Sequence, residues 1–527
     1  MTTIFELTGT LASLSPVHIG SDADGAIVDL MQFVDGAGRV TIPGTSLAGS
    51  LRSALPQGHS QYGWGDKNRP SHITVFDAHA RTEVQLSVRS GVAIDRETGT
   101  AADGLLYRRQ VIPKGTEFSF RITAESRADY SDEAARSDMN AIIAVLGSDH
   151  FTVGSSTSRG LGVVSLCDKP TLIRRTLNHR SLKQSLFEGF RETTDIPADN
   201  LPSETLRVTI PWRPRGAVMS KVAVDGGVAD ALPLAEPTIT RGGPGFRMVI
   251  PGSSVKGVLR SHAERIARTV TGQTVPPGFL EQMKAIGLPG VGDLFGLAGD
   301  DSDTENRGRR GVLTINEVAT TQPVKAKLWR SVCTAAAEPT AEDPATSENK
   351  SAQEMTKLAN AVDTFNQNHP GLWLDVVMRN SIDRWTGGTA LHRLFSTVET
   401  HADWDPIVVD IDLGRLRRIN GNSPERIDAA LALVLFVLID ASDGWLAIGY
   451  ATTRGLGSFD VDRAAITFTG TVTVSDDDHA ANLIKHGNLA EVLSDAALLE
   501  DIGQQWQKVL KVGAIEPTAD DLTGAGL

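Results

Sequence analysis

Cysteine is almost absent from this chain: Cys167 and Cys333 are the only two in 527 residues. Two isolated thiols fit a reducing compartment and exclude a four-thiolate zinc site. Long hydrophobic runs are absent too, so no membrane-spanning segment is expected. The opening stretch Thr2-Thr3-Ile4-Phe5-Glu6 carries neither a basic region nor an apolar core, so no secretion signal is expected and the localisation reads as cytoplasmic. An excess of positive charge is also missing. Against 64 Asp and Glu stand 51 Lys and Arg, a net charge of −13. That argues against a free-standing, electrostatically driven nucleic-acid binder. It leaves room for local basic clefts, or for RNA held in a larger assembly. The length exceeds what one hydrophobic core organises, so two or more domains are expected.

What the chain does contain is a repeat. Ile42-Pro43-Gly44-Thr45-Ser46-Leu47-Ala48-Gly49-Ser50-Leu51-Arg52 returns as Ile250-Pro251-Gly252-Ser253-Ser254-Val255-Lys256-Gly257-Val258-Leu259-Arg260, in register and 208 residues later. Such self-similarity sets the unit to be explained. Pro-Gly ends an extended segment and Thr or Ser offers an N-cap oxygen. Leu47 and Leu51, or Val255 and Leu259, then place an apolar stripe on one helical face. The helix start presents free N–H groups, with Ser46 or Ser254 beside them and Arg52 or Arg260 two turns on. This suits an anion such as a nucleic-acid phosphate. One copy alone reads better as a strand-to-helix turn that merely packs; two copies among matching landmarks shift the balance toward an anion site.

Other landmarks recur around the motif. Alternation predicts strands at 3–19, 73–78 and 116–122, and helices near 45–55 and 132–147. The series restarts with strands at 206–210, 311–317 and 408–413, a helix from 252 to about Ala267 and another over 425–440. Ile94-Asp95-Arg96-Glu97-Thr98-Gly99 is echoed by Ile382-Asp383-Arg384-Trp385-Thr386-Gly387. The order strand, helix, strand, turn-rich excursion, strand, helix, glycine-rich turn, strand predicts an α+β chain of two ferredoxin-like domains. Domains are expected over 1–168 and 205–469, joined by a linker at 169–204, with a mobile low-complexity insertion near 336–356 and a C-terminal extension over 470–527.

The repeat ends in Gly154-Ser155-Ser156-Thr157-Ser158-Arg159-Gly160-Leu161-Gly162 and in Gly449-Tyr450-Ala451-Thr452-Thr453-Arg454-Gly455-Leu456-Gly457. Neither has the Gly-Lys-Ser/Thr ending of a nucleotide P-loop. Their hydroxyls, N–H groups and the Arg159 or Arg454 fork suit a phosphodiester backbone, and also suit a tight turn with no ligand.

Taken together, Pro-Gly-Ser/Thr-Ser with its helix, Ile-Asp-Arg-x-Thr-Gly and the terminal Ser/Thr-Arg-Gly-Leu-Gly loop resemble the RAMP superfamily. More narrowly they resemble the backbone RNA-binding subunit of type III CRISPR effector complexes, present twice over residues 3–167 and 205–463. The resemblance implies two tandem modified ferredoxin-like (RRM-like) domains with thumb-type insertions, stacked along a guide RNA in an antiviral complex with other effector subunits. It implies that a loop aspartate cleaves complementary target RNA beside a flipped nucleotide. Asp29 takes that catalytic place in the first copy and Asp230 in the second, with Asp22, Asp24 and Asp225 as neighbouring candidates. Each of the two is followed six positions later by an acid, Asp35 or Glu236. RNA contacts are implied for Ser46, Arg52, Ser155, Arg159, Ser254, Lys256, Arg260, Thr453 and Arg454. His18 reads either as an RNA contact or as a structural histidine, with Arg215-Gly216 in the similar place of the second copy.

The copies also differ. Ala48 stands where the second copy has Lys256, and 14 residues separate Asp29 from Pro43 where 21 separate Asp230 from Pro251. The spacing of a dedicated metal site is absent, so the cofactor implied is a divalent ion, Mg2+ by class, shared between one carboxylate and the phosphate. Two rival readings are a non-catalytic scaffold of the same complex and a guide-RNA-processing endoribonuclease. The latter class leans on a histidine, and this chain repeats none.

Overall fold

The computed structural model describes residues 2–21, 28–55, 63–65, 69–177, 190–193, 204–224, 227–240, 243–284, 287–299, 308–337, 344–472 and 478–513. It forms two units. One comprises Met1–Ala93 and Ala101–Ser203; the other comprises Ile94–Thr100 and Glu204–Leu527.

The first unit is built from β1 (Thr2–Ser13), α1 (Gly44–Ala54), β2 (Ile73–Val75), β3 (Ser87–Ile94), β4 (Ala101–Val111), β5 (Glu117–Glu125), α2 (Asp132–Leu146) and β6 (Thr171–Leu177). β1 lies antiparallel between β5, in register from Ile4↔Glu125 to Ala12↔Glu117, and β6, from Thr2↔Leu177 to Thr8↔Thr171. β2 pairs with the far edge of β5. The order β2-β5-β1-β6, with a helix after β1 and another after β5, is the ferredoxin-like arrangement. Alternation places Phe5, Leu7 and Leu11 of β1 and Phe118, Phe120 and Ile122 of β5 on the buried face. Leu47 and Leu51 of α1 and Met139, Ile142 and Leu146 of α2 close over them. Each such side chain contributes roughly 1.5–3 kcal/mol by leaving water.

The second unit repeats the plan with β7 (Thr205–Ile210), α3 (Gly252–Thr271), α4 (Phe279–Lys284), β8 (Leu313–Ile315), β9 (Leu372–Ile382), β10 (Thr389–Ala402), β11 (Ile407–Asp412), α5 (Pro424–Ser442) and β12 (Thr467–Thr471). Its sheet runs β8-β11-β7-β12, all antiparallel, strand for strand the order of the first. In both units the excursion between the second and third sheet strands is a long hairpin, β3–β4 or β9–β10. These hairpins are the thumb-type insertions.

Three expectations change. The stretch taken as a linker is in part sheet: β6 pairs with β1, and Phe190–Thr193 pairs with β6. The adjacent Leu172 and Ile173 are both buried there, an apolar pair too short to stand out from the surrounding charges. The low-complexity insertion is helical from Pro344 to Gln367. Leu358, Val362 and Phe365 form its buried stripe, which begins only beyond the window that composition marked as loop. The C-terminal extension is part of the second core. Helices His479–His486, Leu489–Ser494 and α6 (Ala496–Gly513) bury Leu483, Leu489, Val492, Ile502 and Trp506, with Trp506 edge-on to Phe436 of α5. That cover explains why α5 is apolar nearly all round.

Candidate functional site

The two loop aspartates occupy one structural position. Asp29 Oδ2 accepts a hydrogen bond from the Arg108 N–H at 2.6 Å, and Asp230 Oδ2 accepts one from the Ser396 N–H at 2.7 Å. Arg108 and Ser396 lie on the second strand of their hairpins. The next residue of each loop, Leu30 or Ala231, bridges in parallel to the next residue of that strand, Arg109 or Thr397. Both aspartates are exposed. The acids six positions on each face an arginine across the following hairpin: Asp35 pairs with Arg39, and Glu236 is in register with Arg247. The seven extra residues of the second loop lengthen this hairpin, which runs Ala235–Thr240 and Gly243–Ile250.

The glycine-rich loops are likewise equivalent. Each holds a single 3-10 turn, Thr157–Arg159 or Thr452–Arg454, entered and left in the left-handed region. Gly162 and Gly457 have φ of +84° and +78°, and a Cβ there would lie 2.1 Å from the carbonyl oxygen of Val153 or Ile448. Only glycine fits. The loops dock on the segment after the first strand: Gly162 N–H donates to Pro16 O and Ser155 N–H to His18 O, while Gly457 N–H donates to Ala217 O and Tyr450 N–H to Met219 O. So the counterpart of His18 is Met219. Arg215-Gly216 stands elsewhere, with Arg215 Nε donating to Asp460 at 2.7 Å. His18 itself is 2% exposed, its Nδ1 is 2.7 Å from Gln110 O, and burial holds its pKa down. A carbonyl only accepts, so Nδ1 carries the proton.

This docking leaves Arg159 and Arg454 beside cationic and aromatic groups. In the first unit Arg109 donates to Ser156 Oγ at 2.7 Å and lies over the Tyr107 ring. Its buried Nε has no hydrogen-bond partner among the described residues. Burial lowers the Arg109 pKa, Tyr107 opposes this, and Arg159 lowers it further. Two neighbouring guanidiniums and an unused donor make a seat for an anion. In the second unit Arg454 lies between Phe395 and Tyr450, at 5.5 and 5.1 Å from the ring centroids, and Lys221 lies 5.5 Å from the Tyr450 centroid. Flat rings beside cations offer stacking for a base and charge for its phosphate.

Residues 10–165 and 231–331 match the family model for the RAMP superfamily. The chain belongs to the RAMP superfamily. RAMP proteins are in general CRISPR-associated RNA-binding proteins, and some are endoribonucleases. The first matched region includes Asp29 and the first glycine-rich loop; the second begins one residue after Asp230. No curated protein matches the chain. No helix among the described residues is long and apolar enough to cross a membrane.

Not all residues singled out by the motifs meet in the two RAMP sites. Ser155 and Thr453 lie on the glycine-rich loops, close in sequence to Arg159 and Arg454, and Thr453 is exposed. The Pro-Gly helices take up partners within the chain. The N-cap of α1 is Pro43 and that of α3 is Pro251, with no side-chain oxygen from Thr45, Ser46, Ser253 or Ser254. The start of α1 is filled by Asp77, whose Oδ1 accepts from the Gly44 N–H at 2.7 Å. The expected anion is therefore a carboxylate of the chain itself. Gly44 packs so close to β2 that a Cβ would lie 2.3 Å from Val75 O, which accounts for the Pro-Gly motif. Ser46 and Ser254 are half-buried and Arg52 is exposed in the last turn of α1. Lys256 is buried with Nζ 2.6 Å from Leu313 O, and Arg260 donates to Glu264 and to Met283 O. Asp22, Asp24 and Asp225 lie outside the described residues.

Five residues of the cationic and aromatic clusters are not singled out as site residues by the motifs: Tyr107, Arg109, Lys221, Phe395 and Tyr450. One signal was available. Tyr107 and Phe395 each follow the turn aspartate, Asp95 or Asp383, by twelve residues.

Among the described residues no group of three or more His, Cys, Asp or Glu side chains comes together as a metal site. Asp29 and Asp230 each spend one oxygen on a backbone N–H, and Oδ1 has no partner among the described residues. A divalent ion therefore fits here only as a ligand shared between that one carboxylate oxygen and the RNA.

Proposed function

We propose that this RAMP protein is the guide-RNA-binding backbone subunit of a type III CRISPR interference complex, and that each domain cuts complementary target RNA once. The observation that carries the reading is the equivalence of Asp29 and Asp230. Each is pinned to the second strand of its hairpin, with its free oxygen turned to solvent near a cationic, aromatic glycine-rich loop. Arg109 with Arg159, and Arg454 with Lys221, hold the phosphates. Tyr107 in one domain, and Phe395 with Tyr450 in the other, stack a base turned out of the duplex. Splaying that nucleotide brings its 2′-OH in line with the leaving 5′-oxygen, a gain in orientation that needs few further groups. Asp29 or Asp230 would hold a magnesium-class ion, which when bound supplies charge stabilisation at the phosphate.

The lone carboxylate at each site favours one alternative, a scaffold that binds RNA without cutting it. Guide-RNA processing is disfavoured, because His18 is buried and its counterpart is Met219.

Guide-loaded complex, given labelled complementary RNA with and without magnesium, decides between these. Two cleavage positions are expected with magnesium. Asp29→Ala should remove one and Asp230→Ala the other, each slowing its cut at least ~10²-fold, as loss of a charge-stabilising group does. The double variant should bind target and leave it intact. Retention of both cuts in Asp29→Ala would overturn the assignment.

A further inference from the structure

The two hairpins end in the same turn. Ile94–Thr100 and Ile382–Gly388 share the hydrogen bonds that shape the turn. Asp95 Oδ1 accepts from the Glu97 and Thr98 N–H groups at 3.0 and 2.9 Å, and Asp383 Oδ1 from the Trp385 and Thr386 N–H groups at 2.8 and 2.9 Å. The N–H of Asp95 donates to Thr100 O and that of Asp383 to Gly388 O. Gly99 and Gly387 adopt φ of +67° and +71°. Two rigid, preshaped turns thus present an arginine at one position, Arg96 or Arg384.

Their surroundings differ. Ile94–Thr100 belongs to the second unit, and its arginine is seated there. Arg96 Nε donates to Glu264 Oε2 at 2.9 Å, with side-chain exposures of 8% and 0%. The Arg96 N–H donates to Gln282 Oε1, and Gln282 Nε2 donates back to Asp95 Oδ2, both at 2.9 Å. The seat is therefore a buried carboxylate for the guanidinium and one primary carboxamide that closes on the turn's edge. The second turn carries the same donor and acceptor, the Arg384 N–H and Asp383 Oδ2, and neither they nor the Arg384 side chain has a partner among the described residues. Trp385, in the place of Glu97, is 96% exposed.

We propose that the Asp383–Gly388 turn is a plug for an acidic socket on a different protein subunit. Arg384 enters against a buried carboxylate, a Gln or Asn carboxamide spans the Arg384 N–H and Asp383 Oδ2, and an apolar wall covers Trp385. Arginine and tryptophan side by side on an exposed tip are the residue types that anchor interfaces. A second copy of this chain is a poor occupant. Its socket at Glu264 and Gln282 already holds its own Ile94–Thr100. The first copy of the helix motif has Pro56 at the twelfth residue after its glycine, where the second has Glu264. RNA is a poor occupant as well: two backbone N–H groups keep the Asp383 carboxyl ionised, and a carboxylate beside Arg384 repels phosphate. This inference does not rest on the cleavage reading.

The test places p-benzoylphenylalanine at Trp385 in the full chain, within the complex purified from its native host. Irradiation and ribonuclease digestion precede mass spectrometry of the adduct. The expected adduct is a peptide of another protein that carries an Asp or Glu and a Gln or Asn. Arg384→Glu should reduce it at least ~10-fold, as loss of a buried charge pair does, and reversing the partner's acid to lysine should restore it. A nucleotide adduct, an adduct to a second copy of this chain or to a peptide without an acid, no adduct, or one indifferent to Arg384→Glu would each overturn the proposal.

Discussion

Single side chains distinguish the clusters beside the two aspartates. Arg109 in the first gives way to Thr397 in the second, which is 1% exposed and accepts from Arg379 Nη1. The charge at the second site comes instead from Arg454 and Lys221, held against aromatic rings. Arg159→Ala and Arg454→Ala should each weaken guide binding. Each should also lower the slope of log affinity against log salt by about 0.7, the amount for one phosphate of a single strand that is no longer neutralised. Fluorescence titrations at several salt concentrations check this, and unchanged slopes in both variants would count against a phosphate role. Another residue sets a pH dependence. His479 sits with Nδ1 2.8 Å from Asp428 and Nε2 3.1 Å from Asp501. The hydrogen bond to Asp428 raises its pKa above the ordinary 6.5, burial opposes this, and Asp501 adds to the rise. A raised folded pKa means that the contribution is fully present below about pH 6.5 and is lost as pH climbs through the folded value. Wild-type protein should therefore lose more melting temperature than His479→Gln between roughly pH 6 and pH 9; parallel curves would contradict the assignment.

At the scale of elements, the glycine-rich loops and the hairpin turns were legible because their chemistry is local. An Asx turn needs an aspartate, two following N–H groups and a glycine with positive φ, all within six residues. The left-handed glycines follow the same logic. Gly457→Ala should destabilise the second unit by at least about 1 kcal/mol, since strained φ and the approach to Ile448 O act together. Denaturant unfolding would show it as a lower midpoint, and an unchanged midpoint would mean that the loop rearranges freely. Other elements were not legible. Thr171–Leu177 reads as a charged connection until β1 and Phe190–Thr193 are beside it, because strand pairing uses a neighbour's free N–H and C=O groups and needs little side-chain pattern of its own. The helix start at Gly44 reads as an anion site until Asp77, 33 residues away in sequence, is seen to occupy it.

For the whole molecule, the acidic balance of −13 coexists with cationic clusters at the glycine-rich loops and the hairpin strands beside them. Binding driven by such clusters is local, so shape and stacking must contribute alongside charge. The repeat, the ferredoxin-like plan of each half and the equivalence of Asp29 with Asp230 were all within reach of the chain alone. Periodicity and turn chemistry act over a few residues, and a duplicated unit displays them twice in one order. Which motifs share a site was decided only by the tertiary structure. The helix arginine Arg260 meets Glu264 instead of joining Arg454, and His18 spends its proton on Gln110, 92 residues away in sequence. Arg96 finds a carboxylate in the second unit while Arg384, in the same turn, finds none among the described residues. Local sequence sets the conformation of a turn or helix; the partner of a side chain depends on where packing carries distant segments, and no spacing along the chain records that.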